Sequence, residues 1–472
     1  MTTGTARVTD ILKVQLMDID YLKMKRIESE SYYGFDYSVS KKRDFCYLPV
    51  CNRKLSAFSK KYDQHIVERL GYLIGIVLAH QGYNGFKQLK AIDLRVLLGK
   101  SYAQILDWGE HCNWIQVDRT PCEYHSTSNS KFHRSIRVVG WNGSFNRVKI
   151  RERHARMAVL RFRQLRLSDE DEIYRRALIK VYQDSRNSRV IKEGYGEFNR
   201  FLASGLHYPN IDPFGRRIHS FITYAVDRKT RSCVKPLGHF KQDVVEVDIK
   251  SSHPSLLYEL GTNPACLVHA FDEDKVIDAF FEILTRNYFE ETMLHQFRDS
   301  LEEGRFYETF WKDCLDESFP QWREFGLKKY NHHYNMNHRL GQIGERSILK
   351  LLFMLVVNGG AKKCLDAISR SKTYTTLGRL IIVYNHEYRI PWFLENIQDF
   401  NKPYWPQKNM CLTLQRIESK ALIHVLDELD GTWCLPIHDG ILTLEKDMEK
   451  TSQAIAQSHR ELGLKPPRIS IK

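Results

Sequence analysis

The sequence predicts an α+β protein with more than one domain, and three observations carry that reading. Apolar residues recur at helical spacing over much of the chain, and a strand-like alternation runs from Val245 to Ile249. Apolar runs also flank an Asp-Gly dipeptide at 439–440, which is a hairpin signal. Periods of 3.6 and 2.0 segregated along one chain define an α+β class. At 472 residues the chain is long enough for two or three domains. Hydrophobic residues at 42% and charged residues at 27% exclude both a disordered tail and an integral membrane protein. There is no uninterrupted apolar run of about 18 residues, and the opening MTTGTARVTD lacks an apolar signal core. A cytoplasmic protein, not secreted and without a membrane partner, is expected.

Taken in order, the first 90 residues hold one helix, at 66–82, where apolar residues fall on helical positions. Residues 89–98 follow, then a Gly99-Lys100-Ser101 break and a second helix at 102–112 with Ser101 placed to cap it. Residues 114–118 and 131–139 read as a ribbon around a polar turn. Helices followed by a ribbon suggest a winged helix at about 60–140; an ordinary α+β packing unit explains the pattern equally well. The ten cysteines form no CxxC pair, which favours reduced thiols over a disulfide framework. His111, Cys112, Cys122 and His125 have ligand-type side chains, but their spacing fits no standard zinc site.

The net charge of +14 favours an anionic partner. Between 131 and 166 the chain has 11 Lys and Arg against one acid, Glu152, with Phe132, Trp141, Phe145 and Phe162 interleaved. Arg147, Lys149, Arg151, Arg153, Arg156, Arg161 and Arg163 are therefore candidate nucleic-acid contacts, with a solvated basic face as the competing account. The acidic helix start SDEDEIYRR sets a boundary near 168, so 1–167 forms an N-terminal nucleic-acid-binding region.

Three later segments carry chemistry. In VVEVDIKSSHPSLLYEL, Val245, Val247 and Ile249 alternate with Glu246 and Asp248. A strand would bury the first set and present two carboxylates on the other face. Pro254 ends that strand and a helix follows. An acid there, beside the backbone carbonyl of Ile249, suits a divalent cation. In TWCLPIHDGILTLEKD, His438 and Asp439 occupy the tight end of a hairpin. Placed beside Asp248, Asp439 would complete a two-carboxylate site for two Mg²⁺ ions. Between these segments, residues 348–357 form a helix apolar nearly all round and therefore buried. Arg346, Lys350, Met354 and Asn358 share one stripe of it. Two cations on a buried helix need an anion such as a triphosphate, unless both side chains snorkel to solvent.

Acid strand, RxxxK helix and His-Asp hairpin occur in the order of polymerase motifs A, B and C. At 210–472 the chain resembles the family A nucleic-acid polymerases and, more distantly, the single-subunit RNA polymerases. Their motif B reads RxxxKxxxFxxxYG, to which Arg346, Lys350, Met354, Asn358 and Gly359 correspond in spacing. Weaker likenesses are EGRFYETF, and LTLQRIESKALIHVLDEL with Gln415 and Glu418 facing the site. The resemblance implies a right-hand architecture: a thumb-like helical region at 168–240, palm at 241–260 and 411–472, and fingers at 261–410.

It also implies template-directed DNA synthesis at a primer 3′ end, using deoxynucleoside triphosphates. Asp248, Asp439 and Ile249 would hold two Mg²⁺ ions, with Mn²⁺ able to substitute. Arg346, Lys350 and Asn358 would bind the nucleotide, and Lys350 would also protonate the leaving group. His438, Gln415 and Glu418 would shape the site or meet the primer end. His253, five residues after Asp248, lies where the family reads the sugar, and its bulk favours deoxynucleotides over ribonucleotides. Three departures stand out. Gly440 replaces the family's glutamate, Met354 and Asn358 replace its aromatics, and no proofreading exonuclease pattern lies upstream. An RNA polymerase or primase, with RNA as template or product, is one alternative; a non-catalytic DNA-binding factor with a degenerate palm is the other.

Overall fold

A computed structural model describes residues 45–49, 62–79, 87–118, 133–139, 145–168, 171–212, 215–220, 222–223, 226–263, 266, 291–382, 385, 409–437 and 439–472. The protein is mixed α+β, mainly helical with small antiparallel sheets. Two compact units divide it: residues 1–170 with 193–209, and residues 171–192 with 210–472. Among the described residues no helix is long and apolar enough to cross a membrane.

The first unit begins with β1 (Phe45–Pro49), α1 (Gln64–Ala79), β2 (Lys87–Lys90), α2 (Ala91–Leu98) and α3 (Tyr102–His111). It continues through β3 (Ile115–Asp118), β4 (His133–Val138), β5 (Phe145–Lys149) and α4 (Arg153–Arg166), and the helix Gly196–Ser204 belongs to it as well. β4 lies between β2 and β3 in an antiparallel sheet, and β1 pairs with β5. The order α1-β2-α2-α3-β3-β4 puts the last strand at the centre of the sheet, and the strand β2 was not foreseen. Ser101 precedes α3 but makes no side-chain capping bond. The helix α1 is buried on nearly every side, from Val67 to Leu78. Its Glu68, 3% exposed, accepts the N–H groups of Arg151 at 3.1 Å and Glu152 at 2.9 Å. A buried carboxylate thus meets the free N–H groups at the start of α4.

The second unit opens with α5 (Glu172–Arg186), whose cap Asp171 accepts the Ile173 N–H at 3.1 Å. Short ribbons follow: β6 (Ser188–Val190), β7 (Asn210–Ile211), β8 (Ile218–His219) and β9 (Val234–Pro236), with β6 paired to β9 and β7 to β8. Then come β10 (Val244–Ile249), α6 (Ser252–Thr262), α7 (Glu291–Glu302), α8 (Lys312–Ser318) and α9 (Trp322–Tyr334). Next are α10 (Glu345–Val357), α11 (Lys362–Ile368), α12 (Thr375–Ile382) and α13 (Asn409–Glu428). The unit closes with β11 (Cys434–Ile437), β12 (Gly440–Leu444), α14 (Met448–Glu461) and β13 (Ile469–Ile471). Its main sheet runs β11-β12-β10-β13, all antiparallel.

The alternation foreseen in β10 holds over its last four residues: Val247 and Ile249 are buried at 0% and 3%, while Glu246 and Asp248 are half-buried on the other face; Val245, expected inside, is half-buried, and Val244 is buried instead. The strand ends at Ile249, so Pro254 sits in the first turn of α6 rather than terminating the strand. One apolar core joins α6, α7, α10 and α13, centred on Trp311, Trp322, Leu349, Phe353 and Leu414. Residues 261–410 and the sheet-bearing segments therefore share packing, and α5 packs on α13 and β11 within the same unit.

Candidate active site

The centre of the site is set by strand register. β10 and β12 pair so that Asp248 lies opposite Gly440, and the Ile249 N–H donates to the Asp439 carbonyl at 3.2 Å. Ile437 pairs with Gly440, which places Asp439 in the hairpin connection. Two carboxylate-bearing residues distant in sequence therefore occupy neighbouring positions at one end of the sheet. His438 itself lies outside the described residues.

Gly440 is required by this closeness. A Cβ there would stand 2.8 Å from the Val247 carbonyl oxygen and 3.2 Å from the Asp248 Cα. Backbone atoms cannot yield that distance cheaply, so the family's glutamate at this position has no room. Glu246, on the acid face of β10, is the nearest substitute in sequence, and it is bridged to Arg231 at 3.3 Å. The Lys472 ammonium donates to Asp248 and lies 3.5 Å from Glu246. Among the described residues no group of three or more His, Cys, Asp or Glu is gathered as a metal cage.

Burial, then Glu418 and Asp248, push the Asp439 carboxyl up to about 7. An excess of negative charge in a confined space has this effect, and a cation would relieve it. Ser251, at the junction of β10 and α6, has φ +52°, a left-handed conformation uncommon for a side-chain-bearing residue. This turn lets the chain pass from the acid strand into the helix that carries His253 within two residues.

Behind the acids lies a buried polar network. Glu418 on α13 is 2% exposed, accepts from Arg217 and accepts from the Ser252 hydroxyl at 2.6 Å. Burial opposes its ionisation, yet the Arg217 guanidinium and the Ser252 hydroxyl hold its pKa below the usual range. His253 Nε2 lies 3.3 Å from Arg217 Nη2 and 4.0 Å from Glu418, and Nδ1 has no hydrogen-bond partner. Burial first, with Arg217 and Lys350 adding, lowers the His253 pKa, so a neutral ring is favoured. Gln415 points elsewhere: it packs on the β7–β8 turn at Gly215 and donates to Cys411 Sγ at 3.3 Å. Ser419 donates to the Gly215 carbonyl at 2.8 Å, securing the hairpin that presents Arg217.

The RxxxK helix corrects one expectation. On α10, Ile348, Leu349, Leu352, Phe353, Val356 and Val357 are buried, whereas Arg346 and Lys350 are exposed and Met354 and Asn358 are half-buried. The stripe is thus the open side of a half-buried helix, because the apolar positions alone satisfy the core. Arg346 pairs with Glu308 and lies 5.4 Å over the Tyr307 ring. Tyr307 belongs to a single π-turn, Tyr307–Trp311, and burial raises its pKa, with Arg346 and Asp439 also acting on it. Asn358 ends α10, Gly359 takes φ +71°, and the Gly360 N–H donates to Leu355 at 2.7 Å, a Schellman close.

Asp248 and Asp439 are therefore neighbours, with Glu418 and His253 in the polar network behind them; Arg346 stands over Tyr307, and Lys350 lies on the open stripe of α10. Arg217, Tyr307, Ser252 and Lys472 were not foreseen; the only hint was EGRFYETF, and no pattern marked Arg217. In the first unit Arg151, Arg153, Arg156 and Arg161 are exposed, and Arg147 and Lys149 lie on β5. Arg163 is corrected: at 1% exposure it packs inside and is no surface contact, since it lies one residue from core Phe162 on an inward turn of α4. No protein-family model matches the chain, and no curated protein sequence matches it.

Proposed function

We propose that the protein is a metal-dependent nucleotidyltransferase of the right-hand type, a template-directed DNA polymerase similar to family A. The observation that carries this reading is the register placing Asp248 beside Asp439, with the RxxxK stripe open toward solvent. Two carboxylates with the Ile249 carbonyl are hard oxygen donors of the kind a divalent cation takes, and a cation bound there would displace the Lys472 ammonium from Asp248. Two Mg²⁺ ions held there would activate a primer hydroxyl and neutralise a triphosphate.

The remaining work falls to this chain's own groups. Lys350, exposed on the open stripe of α10, would hold triphosphate oxygens and give a proton to the departing pyrophosphate. Arg346 would exchange its Glu308 partner for phosphate, and Asn358 would line the same stripe. The neutral, packed His253 ring would narrow the space at the sugar. Arg217 and Glu418 fix that ring, and the exposed arginines of α4 would hold nucleic-acid phosphates.

The test is primer extension on DNA and RNA templates, and without template, offering each nucleotide class with Mg²⁺ or Mn²⁺. Asp248→Ala and Asp439→Ala should each lower extension by several orders of magnitude while leaving DNA affinity intact. A second reading, a DNA-binding factor with an inactive palm, is favoured by the Lys472 ion pair on Asp248 and the lack of space at Gly440. Under that reading the parent protein extends nothing and both substitutions are silent.

A further inference from the structure

The acid strand is preceded by a ribbon that the reaction above does not use. β6 pairs with β9, and two backbone bonds lengthen the pairing: Ile191 N–H to Cys233 at 2.8 Å and Leu237 N–H to Asn187 at 2.7 Å. Ile191, at the Cys233 end of the ribbon, is 51% exposed; Leu237, at the Asn187 end, and Phe240 in the turn that follows it are 42% and 47% exposed. Single exposed apolar residues need no explanation; what sets these apart is the charge beside them.

Cations surround it. Arg228 and Lys229 on the 3₁₀ turn Arg228–Cys233 are exposed, as are Lys192 after β6 and Lys241 in the turn toward β10. The neighbouring acids are committed. Asp227 caps the turn through the Thr230 N–H at 3.0 Å and hydroxyl at 2.8 Å, and Asp243 lies 3.7 Å from Lys235. Glu246 holds Arg231 at 3.3 Å, which fastens the turn to the acid face of β10. Arg228, Lys229 and Lys241 are thus left without a carboxylate partner among the described residues.

Uncommitted cations recruit a polyanion, and an exposed aromatic face among them accepts an unpaired base. A duplex keeps its bases stacked inward and leaves Phe240 unused. We infer that the β6–β9 ribbon binds single-stranded nucleic acid and delivers it to the acid site, which rests on the polymerase reading for the purpose of delivery but not for the binding itself. A second copy of the chain or another protein would cover the apolar side chains with no use for the cations.

The experiment uses the full chain and fluorescence anisotropy with a labelled single-stranded oligodeoxynucleotide and with its duplex, across a range of salt. Phe240→Ala should weaken single-strand binding about tenfold and duplex binding far less. Arg228→Ala/Lys229→Ala/Lys241→Ala should reduce the slope of log affinity against log salt by about 2. All four positions are exposed, and thermal melts of the variants should match the parent. Equal losses for single strand and duplex, an unchanged slope, or an altered oligomeric state with single-strand affinity retained would each overturn the inference. If the parent extends no primer but the variants still lose single-strand affinity, the polymerase reading fails alone; if it extends primers and the variants bind as the parent does, the ribbon assignment fails alone.

Discussion

Asp439 carries a measurable consequence of its surroundings. Its folded pKa of about 7 stands above the ordinary 3.8, so the folded protein holds this proton more tightly than the unfolded chain does. The stabilising proton is fully present below about pH 4 and is lost as pH rises through 7. A cation bound at the carboxylate reverses the penalty. Thermal stability without divalent cation should therefore fall between pH 5 and 8, and Mg²⁺ or Mn²⁺ should raise the melting temperature more at pH 8 than at pH 5.5. Asp439→Asn should flatten both trends in a thermal-shift series. Asp439 was legible because a strand-turn-strand pattern left its position no alternative. Gly440 read there as a departure, since the Val247 carbonyl that excludes a side chain comes from another segment.

Among elements, the β7–β8 hairpin matters more than its two-residue strands suggest, since it delivers Arg217 to a fully buried Glu418. Removing one partner of such a pair strands a charge in a low-dielectric interior. Arg217→Met should cost about 3–5 kcal/mol in urea unfolding, and adding Glu418→Gln should recover most of it. Recovery of stability without recovery of extension would separate the fold from the chemistry. The strand β10, the β11–β12 hairpin and the helix α10 were readable because period and turn chemistry agree locally. The β7–β8 hairpin and the π-turn at Tyr307 were not, since each is fixed by tertiary contacts: Ser419 and Gln415 for one, the packing of Trp311 and Phe353 for the other. The openness of the α10 stripe was one of two readings the sequence left, because hydrophobicity all round does not say how deeply a neighbour covers a helix.

For the whole molecule, the net charge is +14, and part of it lies on one helix of the first unit. Arg153, Arg156 and Arg161 are exposed on α4 of the first unit. Replacing all three with alanine should weaken DNA binding similarly for unrelated sequences and lower the salt slope by up to about 3. Anisotropy titrations at several salt concentrations provide the check, and an unchanged slope would assign the arginines to a merely solvated face. Arg163 shows why a charge run overstates a binding surface: the run counted residues, and the helix turned one of them into the core.

The order of strands in the main sheet also bears on how the protein is made. β10 takes its neighbours from residues 440–444 and 469–471, far along the chain, so during synthesis the acid strand waits with both edges unpaired. Such edges invite pairing with other chains, and contacts so distant in sequence form slowly. A fragment cut before β11 would carry Asp248 on a strand with no sheet to join. The production of this protein should therefore be more sensitive to truncation near its C-terminal strands than to loss of any single surface residue.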